Sequence, residues 1–160
     1  ENKKVLVVHP FTEDIENQFN KIDLLFEKPI YPNFQLVTYK PVQSIAGETV
    51  DFEDWFSALD KMKDDIDKIE YDICIVGAGA YGFHIAAHVK RSGKKAFHIG
   101  GALQLLFGIR GKRWEDPNYG VEVWGLKPGA YSELMNEHWV RPNERAKPKN
   151  LNIVEGGCYW

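Results

Sequence analysis

The sequence predicts an α/β fold: a mainly parallel sheet with helices on both faces, followed by an aromatic-rich irregular C-terminal segment. Three observations predict it. Short apolar runs at residues 5–8, 35–39, 72–76 and 95–99 alternate with amphipathic stretches. The distance between runs leaves room for helical, right-handed crossovers. Glycines follow the third and fourth runs, where a strand must turn into a helix.

Residues 5–8 (VLVV), ended by His9-Pro10, read as a strand buried on both faces, because proline cannot donate to a central ladder. Thr12 is placed to cap the next helix, with Glu13 and Asp14 near the positive end of its dipole. Ile15, Phe19, Ile22 and Phe26 form one apolar stripe, and Pro29 stops the helix. Residues 35–39 (QLVTY) are rich in β-formers and exit through Pro41.

After a loop through Gly47, Asp51 is placed to cap a second helix with the stripe Trp55, Phe56, Leu59, Met62, Ile66 and Ile69. Residues 72–76 (DICIV) are the third strand. A helix from about Ala80 to Arg91 closes at Gly93, and residues 95–99 (KAFHI) are the fourth strand. Beyond Arg110 the rhythm changes: Trp114, Tyr119, Trp124, Tyr131, Trp139, Tyr159 and Trp160 stand among prolines and glycines. Aromatics at this density are costly to leave in water, so the segment is expected to pack on the sheet or cover the site.

The 160 residues are 44% hydrophobic and 13% aromatic, enough for one domain with a substantial core, residues 1–110 forming it and 111–160 packed against it. A net charge of −3 gives no overall field for nucleic acid or anionic membrane, so any anion site is local. Residues 73–89, the longest apolar stretch, are interrupted and fall short of the roughly 20 needed to cross a bilayer. The start lacks the features of a secretory signal, and Cys74 and Cys158 read as reduced thiols, so a cytoplasmic setting is expected. With only four residues before the first strand, the chain can be a piece of a longer protein, completed by an N-terminal domain or an oligomeric partner.

In an open parallel sheet, ligands bind outside the carboxyl ends of the strands. His9 stands there after the first strand, a candidate for acid–base work. Gly77, Gly79 and Gly82 follow the third in G-x-G-x-x-G spacing, and with Tyr81 they can bring backbone N–H groups to a phosphate. The same glycines also serve close packing of a helix on a sheet. The acid that binds a dinucleotide's ribose is replaced by His98-Ile99-Gly100-Gly101, which argues against a nicotinamide oxidoreductase.

Gly100 and Gly101 can open a second helix at the same edge, with Gln104 in its first turns. Arg110, Lys112 and Arg113 beside Trp114 suit a diphosphate with a base or sugar stacked on the indole; an ordinary solvated basic turn has the same composition. Glu115 is a carboxylate near this cluster and a candidate general base. The histidines have no metal-binding spacing completed by a carboxylate.

The segment YDICIVGAGAYGFHIAAHVKRSGKKAFHIGGALQLLFGIRGKRW, residues 71–114, resembles the second half of bacterial GT-D-type, Rossmann-like glycosyltransferases and related proteins of polysaccharide-biosynthesis loci. The shared order is a strand, a G-x-G turn, a helix, GK-x-A and a strand ending in IG. The resemblance implies binding of a nucleotide-diphosphate sugar and, in a full-length protein, a divalent metal on an Asp-x-Glu motif within a GDGE-like segment. This chain lacks that segment. Its residues 51–53 (DFE) have the spacing but stand at the start of an amphipathic helix. The resemblance therefore supports nucleotide-sugar binding more than catalysis, and a non-catalytic binding or assembly module is the alternative.

Overall fold

Strand β1 (Lys3–Val8) lies between two parallel neighbours, β2 (Phe34–Tyr39) and β3 (Ile73–Val76), and so contributes side chains to both faces of the sheet. A computed structural model describes residues 2–44, 50–148, 150–153 and 155–160; the loop at Gly47 lies outside them. The fourth strand, β4 (Lys95–His98), pairs in parallel with β3, giving the order β2-β1-β3-β4. The fold is therefore α/β and Rossmann-like, with an all-parallel four-stranded sheet. From β1 the chain steps outward to β2, then returns to the opposite side for β3. The carboxyl ends of β1 and β3 thus form a topological switch point, where open α/β sheets bind ligands.

Side-chain alternation along β1 divides the core. Leu6 and Val8 pack with Cys74 and Val76 against Ala58, Leu59, Met62 and Ile66 of α2 (Trp55–Asp67) and Tyr81, Ile85 and Val89 of α3 (Gly79–Arg91). Val5 and Val7 face the other way, onto Ile15 of α1 (Thr12–Phe19), Leu103 of the one-turn helix α4 (Leu103–Leu106), and Phe107, Ile109, Leu151 and Trp160. Beside this second core, Leu25, Leu105, Trp114 and Trp139 make a third apolar cluster.

Several local expectations are corrected. Thr12 is the first residue of α1 rather than its cap; Phe11 holds the cap position and makes no side-chain capping bond. The helix ends at Phe19, Ile22 falls in a separate turn, and Phe26 packs edge-on to Trp139. The chain bends because Leu25 is fully buried and its carbonyl accepts from the Trp139 indole N–H at 2.8 Å. Asp54, not Asp51, caps α2: its carboxylate accepts the Ser57 N–H at 2.7 Å, and Ser57 Oγ accepts the Asp54 N–H in return. Phe56 leaves the stripe and is 68% exposed, because one residue on from Trp55 is a rotation of about 100°.

Helix α3 begins at Gly79, and Gly93 follows its end with φ +81°. In place of a second full helix, residues 100–102 form a tight turn that leads into α4. Neither Cys74 nor Cys158 takes part in a disulfide. Among the described residues, no helix is long and apolar enough to cross a membrane.

Candidate functional site

A cavity of about 550 Å³ opens at the switch point. The loops after β1 and β3 form its floor. Gly77 donates its N–H to the Val8 carbonyl at 2.8 Å, which ties the two strand ends together. A Cβ on Gly77 would stand 2.5 Å from the Gly100 carbonyl oxygen and 2.8 Å from the His9 ring, so only glycine fits. Gly79 turns the chain into α3 with φ +50°.

The first turn of α3 faces this cavity without a side-chain cap. The N–H groups of Ala78, Gly79 and Ala80 have no acceptor among the described residues. A helix start of this kind concentrates donors and the positive end of the dipole. Among the described residues that line the cavity there is no Asp, Glu, Lys or Arg. The unpartnered backbone N–H groups are thus positive ends of dipoles exposed at the cavity.

His9 is 3% exposed and lines the same cavity. Its Nδ1 accepts the Phe11 N–H at 3.1 Å, which places the ring proton on Nε2. Burial pushes the imidazole pKa down to about 3, so the ring is neutral near pH 7. A neutral imidazole with its proton on Nε2 donates a hydrogen bond from that atom.

Two aromatic walls flank these donors. On the α2–α3 side, the rings of Trp55 and Tyr81 stack at 4.9 Å with 5° between planes, and Tyr81 Oη shares a 3.0 Å hydrogen bond with Ser44 Oγ. On the other side stand Tyr159 and Trp160; Trp160 meets Phe11 edge-on at 4.7 Å. Gly101 leaves room for Tyr159, whose Cε1 would lie 2.0 Å from a Cβ there. Gln104, fully buried, fixes this wall: its Nε2 lies 3.1 Å from the Tyr159 carbonyl, 2.9 Å from that of Arg110 and 3.3 Å from that of Ile109. Three surrounding carbonyls identify the side-chain nitrogen.

Of the residues singled out from sequence, His9, Gly77, Gly79, Tyr81, Gly101 and Gln104 line the cavity. Gly82 instead lets α3 approach β4, where its Cβ would stand 2.6 Å from His98 Nε2. Gly100 forms the turn behind Gly77. The basic cluster is displaced from the cavity. Arg110 donates from Nη2 to the Asn136 carbonyl at 2.7 Å, and Arg113 donates to Cys158 Sγ at 2.7 Å. Lys112 is exposed, while its N–H lies 3.3 Å from the Trp160 carbonyl.

Trp114, only 3% exposed, is packed in the third apolar cluster and offers no open face for a base. Glu115 pairs with Arg141. The turn at residues 108–111 carries this motif to the segment near residues 136–141 and 158–160, where Arg110 Nη2 and the Arg113 guanidinium find acceptors, while Arg110 Nε is buried with no partner among the described residues. Sequence reasoning did not single out Ser44 or Trp55 as cavity residues, and it placed Tyr159 and Trp160 only within an aromatic segment expected to pack on the sheet or cover the site. Trp55 carried a signal, because it opens α2 at the sheet's ligand edge; the contact of residues 159–160 with residue 101 had none.

Residues 51–53 do not fit the metal that the resemblance implies. Asp51 and Glu53 are exposed ahead of α2, and among the described residues no three His, Cys, Asp or Glu side chains are grouped to hold an ion. Comparison with protein-family models, with curated proteins and with solved structures gives no match.

Proposed function

We propose that this chain is a ligand-binding domain of a glycosyltransferase-like protein, and that its switch-point cavity takes a nucleotide-diphosphate sugar for bacterial polysaccharide or glycan assembly. The observation that carries the reading is the convergence of the uncapped α3 start, the His9 Nε2–H and the stacked Trp55–Tyr81 pair on one cavity. N–H donors and a helix dipole suit phosphate oxygens, and aromatic surface suits a base or sugar ring. A volume of about 550 Å³ falls in the range of small-molecule sites.

With Arg110, Lys112 and Arg113 outside the lining, the phosphates are held by backbone N–H groups in place of guanidinium forks. The reading is one of binding. The described lining holds no carboxylate to act as a general base, which favours the non-catalytic module over a transferase complete in this chain.

Calorimetry with uridine and guanosine diphosphate sugars tests it, together with Ala80→Glu. A glutamate in the first turn of α3 complements the helix dipole, so the fold is retained while an anion at the N–H groups is repelled. The expected result is saturable binding that falls at least about tenfold in Ala80→Glu with an unchanged melting temperature. Absence of binding across the panel, or equal binding by the variant, refutes the assignment. Stabilisation by NAD or NADP instead would restore the oxidoreductase reading.

A further inference from the structure

The basic motif that lies outside the cavity still bears on it through residues 158–160. Arg113 Nη2 donates to Cys158 Sγ at 2.7 Å, Nη1 lies 3.4 Å from Tyr159 Oη, and the guanidinium carbon sits 4.7 Å from the centre of the Tyr159 ring. Backbone bonds run alongside: the Arg113 N–H to the Cys158 carbonyl at 3.1 Å, and the Lys112 N–H to the Trp160 carbonyl at 3.3 Å. Tyr159 and Trp160 line the cavity, whereas Arg113 does not.

We propose that Arg113 is a positioning residue: its guanidinium holds residues 158–160 in place as a cavity wall, and it acts on the ligand through Tyr159 without touching a phosphate. The identity of the ligand rests on the nucleotide-sugar reading above; the anchoring of the wall is a property of the free chain. Two features favour arginine over lysine at this position. A planar guanidinium stacks on the Tyr159 ring while its edge reaches the Cys158 sulfur, and an ammonium cannot do both. The backbone bonds at residues 112 and 113 form with any side chain, whereas this stacked, forked contact depends on the Arg113 side chain.

A wall residue and a phosphate ligand differ in what their removal does. Loss of a phosphate ligand weakens only phosphorylated ligands and is partly restored by another cation. Loss of a wall weakens charged and uncharged ligands alike, and lysine does not restore it.

The test has two arms. In the free chain, hydrogen exchange is measured at the amides of Lys112 and Trp160, with β1 and β3 amides as controls for folding. Arg113→Ala and Arg113→Lys are both expected to speed exchange at residues 112 and 160 by about tenfold and to leave the strands unchanged. In the second arm, calorimetry compares uridine diphosphate glucose and guanosine diphosphate mannose with uridine and guanosine. Both classes are expected to lose the same factor, Tyr159→Ala to reproduce that loss, and the double variant Arg113→Ala/Tyr159→Ala to lose no more than either single one.

Unchanged exchange overturns the proposal. So does a loss confined to the phosphorylated ligands and recovered in Arg113→Lys. If the unmodified chain binds none of the probes, the nucleotide-sugar reading fails, and the exchange arm still decides the role of Arg113.

Discussion

The two faces of the sheet are closed by different means. On one face α2 and α3 lay regular apolar stripes against β1 and β3, and all but the last-turn carbonyls of a helix are satisfied within it. On the other, α1, one-turn helices and irregular chain must pack on Val5, Val7 and Ile75, and irregular chain leaves carbonyls without a ladder. Buried carbonyls need donors. Side-chain amides and an indole supply them: Gln18 to the His138 carbonyl at 2.9 Å, Gln104 to those of Arg110 and Tyr159, and Trp139 to that of Leu25.

Gln18 and Gln104, two of the three buried polar side chains among the described residues, belong to this second face; His9, the third, stands at the strand edge. The cavity lies on the seam. Its helix donors come from the regular face, and residues 104, 159 and 160 come from the irregular one.

Four variants sharpen or break this contrast. The largest effect is expected on the regular face. Ile85→Ala, at a fully buried position of α3, leaves a cavity in a close-packed layer and should cost about 3–4 kcal/mol in urea unfolding. A cost under about 1 kcal/mol would mean that this layer is loosely packed.

On the irregular face, Gln104→Leu keeps the volume but removes the donor to three carbonyls and should cost about 2–3 kcal/mol. A neutral outcome would show that polar side chains do not hold that face together.

His9 gives the seam a pH signature. In the unfolded chain its imidazole takes a proton below 6.5, while in the fold it stays neutral down to about 3. The unfolded state therefore binds more protons in that window, so stability is full above 6.5 and declines as pH falls toward 3. By pH 5 the loss attributable to His9 is about 2 kcal/mol. His9→Phe should flatten this slope relative to the parent chain; an unchanged slope would assign it to other groups. Smallest is Asp54→Ala, which removes a solvent-side cap of α2 and should lower the melting temperature by a few degrees.

The regular face was legible in the sequence because its signals are local. A four-residue apolar run, a stripe at helical spacing and a glycine at a strand end each lie within one short window, and α2, α3 and all four strands were found from them. The cap of α2 was misplaced because Asp51 and Asp54 are the same residue type; only Ser57, three positions after Asp54, marks the partner that completes the box. In the α1 stripe, Ile22 and Phe26 have helical spacing, but tertiary bonds to the Leu24 and Leu25 carbonyls bend the chain away.

The cavity was half legible for the same reason. Gly77, Gly79 and His9 follow strands, and strand ends define the ligand edge. The motif at residues 110–114 resembled an anion site by composition, yet its arginines are taken by a sulfur and a carbonyl contributed from residues 158 and 136. No window of sequence contains both partners. Tyr159 against Gly101, and Trp55 stacked on Tyr81, are likewise long-range contacts that composition does not encode.

The seam cavity is tested most directly by following amide resonances of the isotope-labelled chain as uridine diphosphate glucose or guanosine diphosphate mannose is added. The expected result is saturable shifts led by the N–H groups of Ala78, Gly79 and Ala80, with smaller ones at Tyr159 and Trp160. Shifts centred on Arg110, Lys112 and Arg113 while the start of α3 stays unmoved, or no shifts at all, would contradict it.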